Sequence, residues 1–321
     1  MSDPIVAHNV ELVPAHPTSQ NPALVYLASL APTGRRSMRS RLDQVGRILG
    51  GSDALSVPWH LLRFEHLAAI RARLVESGAA PATVNVSLCA VRGVAAAAFN
   101  LGQIGAEDLQ RLKQVKSVRG ERLPAGRALS SGEATALLDV CANDCTPAGA
   151  RDAAVVGLLY GAGLRRAEVV GLDLADFTPD NGELRVTGKG GKQRMLYLRN
   201  GGASAMADWL AVRGIEDGPL FLPIRRGGRL ERRRMSTQAV YDLCRRRAIE
   251  ARVAVFSPHD FRRTFVGDLL DLGADIVTVQ KLAGHASVTT TARYDRRPEE
   301  AKRRAMDLRH VPYRSRRLVA A

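Results

Sequence analysis

Apolar residues in this chain recur at helical spacing almost everywhere, and the period changes at one place. Glu183-Leu-Arg-Val-Thr187 alternates, Gly188-Lys-Gly-Gly-Lys192 turns, and Arg194-Met-Leu-Tyr-Leu198 returns, which reads as a β-hairpin with a basic tip. A chain with one hairpin and helical periodicity elsewhere is mainly α with a small β-sheet, an α+β fold. Upstream, helical patterns cover 22–30, 37–49, 64–77, 82–101 and 106–115. In 82–101, Val84, Leu88, Val91, Val94, Ala95 and Ala98 share one stripe, and Pro81 suits a first helical turn. Downstream, Ser130-x-x-Glu133 reads as a capping box that opens a helix. Further helices are expected at 150–160, from Leu164 to Gly171, and at 202–213, 236–251, 260–271 and 275–283.

A basic connector containing Pro and Gly, Lys116-Ser-Val-Arg-Gly-Glu-Arg-Leu-Pro-Ala-Gly-Arg127, separates two regions, and 321 residues suffice for two cores. The expected organisation is a disordered arm over 1–20, a helical bundle over 21–115, a linker over 116–127, a larger domain over 128–297 and a basic tail over 298–321. Lys and Arg number 47 against 32 Asp and Glu, a net charge of +15, and Arg greatly outnumbers Lys. Guanidinium forks suit phosphate, so the charge points to a nucleic-acid partner. Arg35, Arg36, Arg39, Arg41 and Arg47 fall on or before one bundle helix and read as a phosphate-contacting face or a solvated one.

Nothing approaches the roughly 18–20 apolar residues of a membrane span, and no signal pattern opens the chain. The four cysteines form no C-x-x-C pair, and Cys141 and Cys145 lack His partners at zinc spacing. They read as reduced thiols of a cytoplasmic protein with no metal or other cofactor.

Four short segments carry residues suited to phosphate chemistry. Arg165 and Glu168, in Gly161-Ala-Gly-Leu-Arg-Arg-Ala-Glu168, stand three apart at a helix start and share a face. The carboxylate either pre-orients the arginine toward an anion or forms a plain surface pair. The Gly-x-Gly there lacks the third Gly and the preceding strand of a dinucleotide site. Lys189 and Lys192 sit on the hairpin tip, which is no Walker loop because Gln193 stands where Ser or Thr is needed. A lysine there presents a compact proton donor, or simply faces water. His259 and Arg262, in Ser257-Pro-His-Asp-Phe-Arg262, pair a proton carrier with an anion holder. His285 follows Gly284 after a helix, and Tyr294 lies beyond a Thr run expected to turn into another helix. A phenol, with its ordinary pKa of about 10, attacks phosphorus only beside a base and cations. The two Arg, one Lys and two His supply both. Tyr26, Tyr160, Tyr197, Tyr241 and Tyr313 lack such company and read as half-buried aromatics.

Taken in order, with GLRRAE, TGKGGKQR, HDFRRTF and LAGHASVTTTARY around them, these residues resemble the tyrosine recombinase (phage integrase) family, especially its Xer-type and integrase members, over 125–300. Phe261, Arg263 and Ala283 replace a commoner Leu, His and Leu, and none of these changes removes a functional group. The resemblance implies a catalytic domain over 128–297 behind a core-type DNA-binding bundle. It implies Arg165 and Arg262 as the phosphate grip, Lys189 as the proton donor to the leaving oxygen with Lys192 as competitor, and Glu168 as the acidic support. His259 would assist proton removal, His285 would hydrogen-bond the phosphate, and Tyr294 would be the nucleophile forming a 3′-phosphotyrosyl link without ATP.

The implied partners are double-stranded DNA and further protomers, four on two DNA sites, with a partner recombinase or accessory protein as a further candidate. The tail over 298–321 is where such proteins exchange a segment with a neighbour; its other reading is a frayed basic terminus. Integration or excision of a mobile element is the leading expectation, and Xer-type dimer resolution is the alternative. A topoisomerase of type IB shares the chemistry but acts as a monomer. A non-catalytic regulator using 276–294 as a helix-turn-helix would leave Arg165, Lys189, His259 and Arg262 unexplained.

Overall fold

The computed structural model describes residues 20–120 and 126–295, with the isolated positions 303, 306, 307 and 312. All but Gln20 of the expected N-terminal arm, residues 121–125 of the expected linker, and most of the expected tail lie outside the described residues. The chain divides into two compact units, one ending at Pro124 and the other beginning at Ala125.

The first unit is wholly helical among its described residues. It comprises α1 (Pro22–Ala28), α2 (Pro32–Ile48), α3 (Phe64–Glu76), α4 (Pro81–Asn100) and α5 (Ala106–Gln114), with a 3-10 turn at Trp59–Leu61. Pro at the first position of α1, α2 and α4 places each start, because its missing N–H would have no helical partner there. The stripe on α4 is buried as its spacing requires, and it packs with Leu42, Val45, Trp59, Leu67, Ile70 and Leu112. Gly93 lets the Tyr26 ring lie against α4, since a Cβ there would come within 2.2 Å of it. Helix α4 corrects the expectation that no segment approaches a membrane span. It is 20 residues long, its most apolar 18-residue stretch has a mean hydropathy of 1.5, and half of that stretch is buried. The core of the bundle, rather than a bilayer, accounts for that composition.

The second unit holds α6 (Ser131–Asn143), α7 (Pro147–Gly161), α8 (Arg166–Gly171), β1 (Phe177–Thr178), β2 (Glu183–Thr187), β3 (Gln193–Tyr197), α9 (Asn200–Arg213), α10 (Thr237–Glu250), α11 (Pro258–Asp271), α12 (Ile276–Ala283) and α13 (Val288–Ala292). The expected capping box holds: Ser130 Oγ accepts from Glu133 N, and the Glu133 carboxylate accepts from Ser130 N. The sheet is antiparallel in the order β1-β2-β3, so the hairpin gains a two-residue third strand that alternation did not reveal. Leu184 pairs with Leu196, and Val186 with Arg194. These four side chains share one face of the sheet, which puts an arginine on the core side. Helix α7 is the spine of this core, buried along most of its length from Ala153 to Leu159. Cys141 and Cys244 are buried and free, with thiols pushed up to about 12 by burial, so they are inert packing residues.

Candidate active site

The site begins where α7 stops. Gly163 takes a left-handed conformation with φ +61°, and a Cβ on it would lie 2.3 Å from the Phe265 ring, so only glycine fits. Its carbonyl accepts 2.8 Å from Arg262 Nη1. Two residues on, Arg165 is the N-cap of α8, and Glu168 reaches back to it. Glu168 Oε2 accepts from Arg165 N at 2.9 Å, and Oε1 from Arg165 Nη1 at 2.7 Å. The sequence reading of these two as partners on one face is therefore met.

Glu168 has a second cationic partner that the sequence reading missed. Arg194 on β3 grips both carboxylate oxygens, Nη1 to Oε1 at 3.1 Å and Nη2 to Oε2 at 2.9 Å, while its Nε donates to Leu282 O at 2.9 Å. Burial alone would raise the Glu168 pKa, but the hydrogen bonds from Arg194 and Arg165 and their charges outweigh it, so the group lies below its ordinary value. Arg194 thus ties the hairpin to both α8 and α12. A signal for it exists: it occupies the inward strand position that Leu196 also takes, and a charge there demands a partner.

Helix α11 starts at Pro258, with the Asp260 carboxylate accepting from Ser257 N at 2.8 Å. This start places His259 at the surface and Arg262 three residues on in the interior, 1% exposed. Arg262 also donates from Nη2 to Ala283 O, and among the described residues its buried Nε has no hydrogen-bond partner. Burial, followed by the charge of Arg165, pushes the Arg262 pKa down to about 10, which leaves it charged at neutral pH.

Helix α12 ends in a left-handed Gly284 (φ +61°) that turns the chain so that His285 folds back under it. His285 N donates to Gln280 O at 3.1 Å, and Gln280 Nε2 donates to His285 O at 3.1 Å. Arg165 Nη2 reaches Gly284 O at 3.4 Å, so Arg165 and Arg262 grip adjacent carbonyls, Gly284 and Ala283. The Thr run, expected as a turn, is itself the short helix α13, capped by Ser287 Oγ on Thr289 N. Tyr294 sits in the turn that follows, its N–H bonded to Thr291 O at 2.9 Å.

The phenol is surrounded. Tyr294 Oη is 3.3 Å from His259 Nε2, and the ring stacks on His285 with centroids 5.9 Å apart. The Arg263 guanidinium lies 5.7 Å from the Tyr294 ring centroid, a cation–π contact. Partial burial, then the charge of Arg262, lowers the His259 pKa below its usual value. The same causes drive His285 down to about 4, so both imidazoles are neutral at pH 7.

The structure therefore brings together Arg165, Glu168, His259, Arg262, His285 and Tyr294 from three of the four segments. Lys189 opens the 3-10 turn between β2 and β3, and Lys192 follows it in an exposed position. Gly188, at the base of that turn, lies against Glu168 and Arg194, with 3.6 Å from a Cβ on it to Glu168 Oε1. The bundle arginines divide. Arg36 and Arg47 are exposed, and Arg41 bonds Gln44 Oε1. Arg39 instead pairs with Asp43 and Asp53, and Arg35 caps α1 by donating to the carbonyls of Leu27, Ala28 and Leu30.

A tyrosine beside a neutral imidazole, near two arginines anchored on adjacent carbonyls and a buried carboxylate holding one of them, is an arrangement suited to phosphate chemistry. Residues 127–300 match the sequence model of the Phage integrase family, and the chain belongs to that family. It is 35% identical over 233 residues to tyrosine recombinase XerC of Corynebacterium efficiens, covering 71% of this chain and 72% of that one. It is 38% identical over 247 residues to tyrosine recombinase XerD of Mycobacterium tuberculosis, covering 72% and 75%. Among solved structures it shares its fold with the Tn1549 transposon integrase in complex with transposon right end DNA (TM-score 0.64, 18% identity, 90% of this chain and 99% of that one). It also shares the fold of a lambda integrase dimer bound to a COC′ core site (TM-score 0.62, 14% identity, 85% and 74%). The protein is a tyrosine recombinase, an enzyme of site-specific recombination that breaks and rejoins DNA.

Proposed function

We propose that Tyr294 is the nucleophile and that Arg165, Arg262, His259, His285 and Lys189 carry the chemistry around it. The observation that carries this reading is the 3.3 Å approach of Tyr294 Oη to His259 Nε2, beside two arginines anchored on adjacent carbonyls. Tyr294 Oη attacks the phosphorus of a DNA phosphodiester as His259 Nε2 takes the phenolic proton. Arg165 and Arg262 neutralise charge growing on the non-bridging oxygens, the term that usually dominates such catalysis. The 5′-oxygen leaves with a proton from Lys189, giving a 3′-phosphotyrosyl link and a free 5′-hydroxyl. A 5′-hydroxyl from another strand reverses the step, so the bond energy is kept and neither ATP nor a metal is needed.

The test is covalent trapping on nicked duplex DNA drawn from the sequence flanking the gene. Wild type forms a denaturant-resistant adduct and Tyr294→Phe forms none; an adduct that persists in the variant moves the nucleophile elsewhere. For the acid, a substrate with a 5′-bridging sulfur leaves without a proton, so it rescues Lys189→Ala; rescue of Lys192→Ala instead reassigns the role.

The proposed partner is double-stranded DNA, held by four protomers on two sites in the cytoplasm. An apolar groove of ≈ 550 Å³ on the second unit, lined by Leu138, Tyr160, Leu196, Phe265, Leu269 and Leu282, supports protomer contact. It suits an apolar helix face, and the tail over 298–321 is the proposed occupant, supplied by a neighbour. Removing 298–321 should then abolish the tetramer on DNA in sedimentation while leaving single-site binding.

The proposed role is integration or excision of a mobile element. The XerC and XerD relatives favour a second reading, resolution of chromosome or plasmid dimers. Recombination between sites flanking the gene supports the first, and recombination only between replicon resolution sites supports the second.

A further inference from the structure

We propose that Thr291 is a positioning residue: its hydroxyl donates to His285 Nδ1 and holds that imidazole in the tautomer whose proton is on Nε2. The proposal rests on the reading of Tyr294 and His285 given above and deepens it.

Thr291 lies on α13, is 0% exposed, and its Oγ1 is 2.9 Å from His285 Nδ1. Among the described residues this is the one hydrogen bond its hydroxyl makes. A neutral imidazole has one donor nitrogen and one acceptor nitrogen, and its partners decide which is which. Were Nδ1 protonated, it would donate to Oγ1 and leave the threonine proton with no acceptor in a place closed to water. The reverse arrangement satisfies both groups. The hydroxyl proton goes to Nδ1, and Nε2 keeps its hydrogen.

His285 is neutral because burial and the neighbouring cations Arg262 and Arg165 drive its pKa down to about 4, so tautomer rather than charge sets its behaviour. Its backbone is fixed on both sides by Gln280, and its ring is stacked on Tyr294, so the ring is held in one orientation. With Nδ1 occupied, Nε2–H is the free donor, able to give a hydrogen bond to a non-bridging phosphate oxygen without adding a charge. The two histidines then have opposite duties. His259 Nε2, 3.3 Å from Tyr294 Oη, must be an acceptor to take the phenolic proton, whereas His285 Nε2 must be a donor. One threonine in the Thr run keeps the second from mimicking the first.

The experiment is nitrogen NMR of the full-length protein labelled at histidine, with the His285 signals assigned by loss in His285→Asn. Covalent-adduct rates are measured in parallel. Wild type should show His285 protonated on Nε2, with Nδ1 as a hydrogen-bonded acceptor. Thr291→Val, of nearly equal volume, should shift the signal toward a tautomer mixture and slow adduct formation by about 10-fold or more. Thr291→Ser, which keeps the hydroxyl, should restore both the wild-type tautomer and most of the rate. A wild-type His285 protonated on Nδ1 overturns the proposal, as does a Thr291→Val protein with an unchanged tautomer. Should Thr291→Val fail to fold, the wild-type and Thr291→Ser spectra still decide the tautomer. If the tautomers behave as stated but Tyr294→Phe still forms the adduct, the threonine assignment stands and the wider reading of the site fails.

Discussion

Replacing Arg194 with Met should expose how much of this site depends on one buried carboxylate. Arg194 supplies two of the four hydrogen bonds that Glu168 accepts, and a third of its own ties β3 to Leu282 O. Its side chain is 13% exposed and that of Glu168 4%, so water replaces little of what is lost. Removing one partner of a buried pair typically costs ~3–5 kcal/mol, and because Arg165 remains we expect the lower end, ~3 kcal/mol. At ~2–4 °C per kcal/mol for a unit of this size, the melting temperature of the second unit should fall by ~6–12 °C.

The sign of the pH dependence follows from Glu168. Its pKa is depressed in the folded wild type, so its stabilisation is full above the unfolded carboxylate value and fades as pH falls through the lower folded one. In the variant the largest lowering influence is gone while burial remains, so Glu168 takes up its proton more readily. The gap between wild type and Arg194→Met should therefore be widest near pH 7 and narrow toward pH 4. The chain has two tryptophans, Trp59 in the first unit and Trp209 in the second, so Trp209 fluorescence in a Trp59→Phe background reports the relevant unit. Arg194→Lys, which keeps the charge but loses the fork, should fall between the two. A drop under ~2 °C at pH 7, or a gap that does not change with pH, would refute the buried clamp.

Gly284→Ala should also destabilise the site, by ~1–2 kcal/mol for the left-handed backbone alone, and its Cβ would meet Arg194 Nη1 at 3.0 Å. In urea melts its cost should therefore be smaller in an Arg194→Met background than in wild type, because the clash partner is gone. The rate of adduct formation should stay level from pH 8 to the ordinary imidazole range and fall only below it. His259 has a lowered pKa and must be neutral to accept the phenolic proton; a fall centred above pH ~7 would assign the proton acceptor to another group. In the bundle, Arg36→Ala should weaken DNA binding and reduce its salt slope by about one phosphate without changing stability. Arg35→Ala should instead lower the melting temperature of the first unit, since its guanidinium caps three carbonyls at the end of α1.

The helices were legible because each carries its own periodicity and its own start signal. Pro81, Ser130 with Glu133, and Pro258 all stand where α4, α6 and α11 begin. Arg165 with Glu168 was legible for the same reason, since i and i+3 on one helix must be neighbours. What escaped reading depends on partners distant in sequence. The Thr run has poor helix propensity and reads as a turn, yet Ser287 caps it and Thr291 is buried against His285, so tertiary contacts override the local preference. The strand at Phe177–Thr178 is too short to alternate, and it exists because β2 offers it an edge. Arg35 and Arg39 look in sequence like their exposed neighbour Arg36. Only the fold shows the α1 carbonyls and Asp53 that hold them.

The convergence at the site is of this second kind. Arg165 and Arg262 come from helices 97 positions apart, and they meet because α12 ends in a glycine that leaves the carbonyls of Ala283 and Gly284 turned toward both. That helix end is in turn fixed by Arg194, which joins Leu282 O to Glu168 and so to Arg165 itself. The circuit closes through hydrogen bonds to backbone carbonyls, whose direction no side-chain pattern records. The candidate groups could thus be named along the chain, whereas the network that brings them together could be read only from the fold.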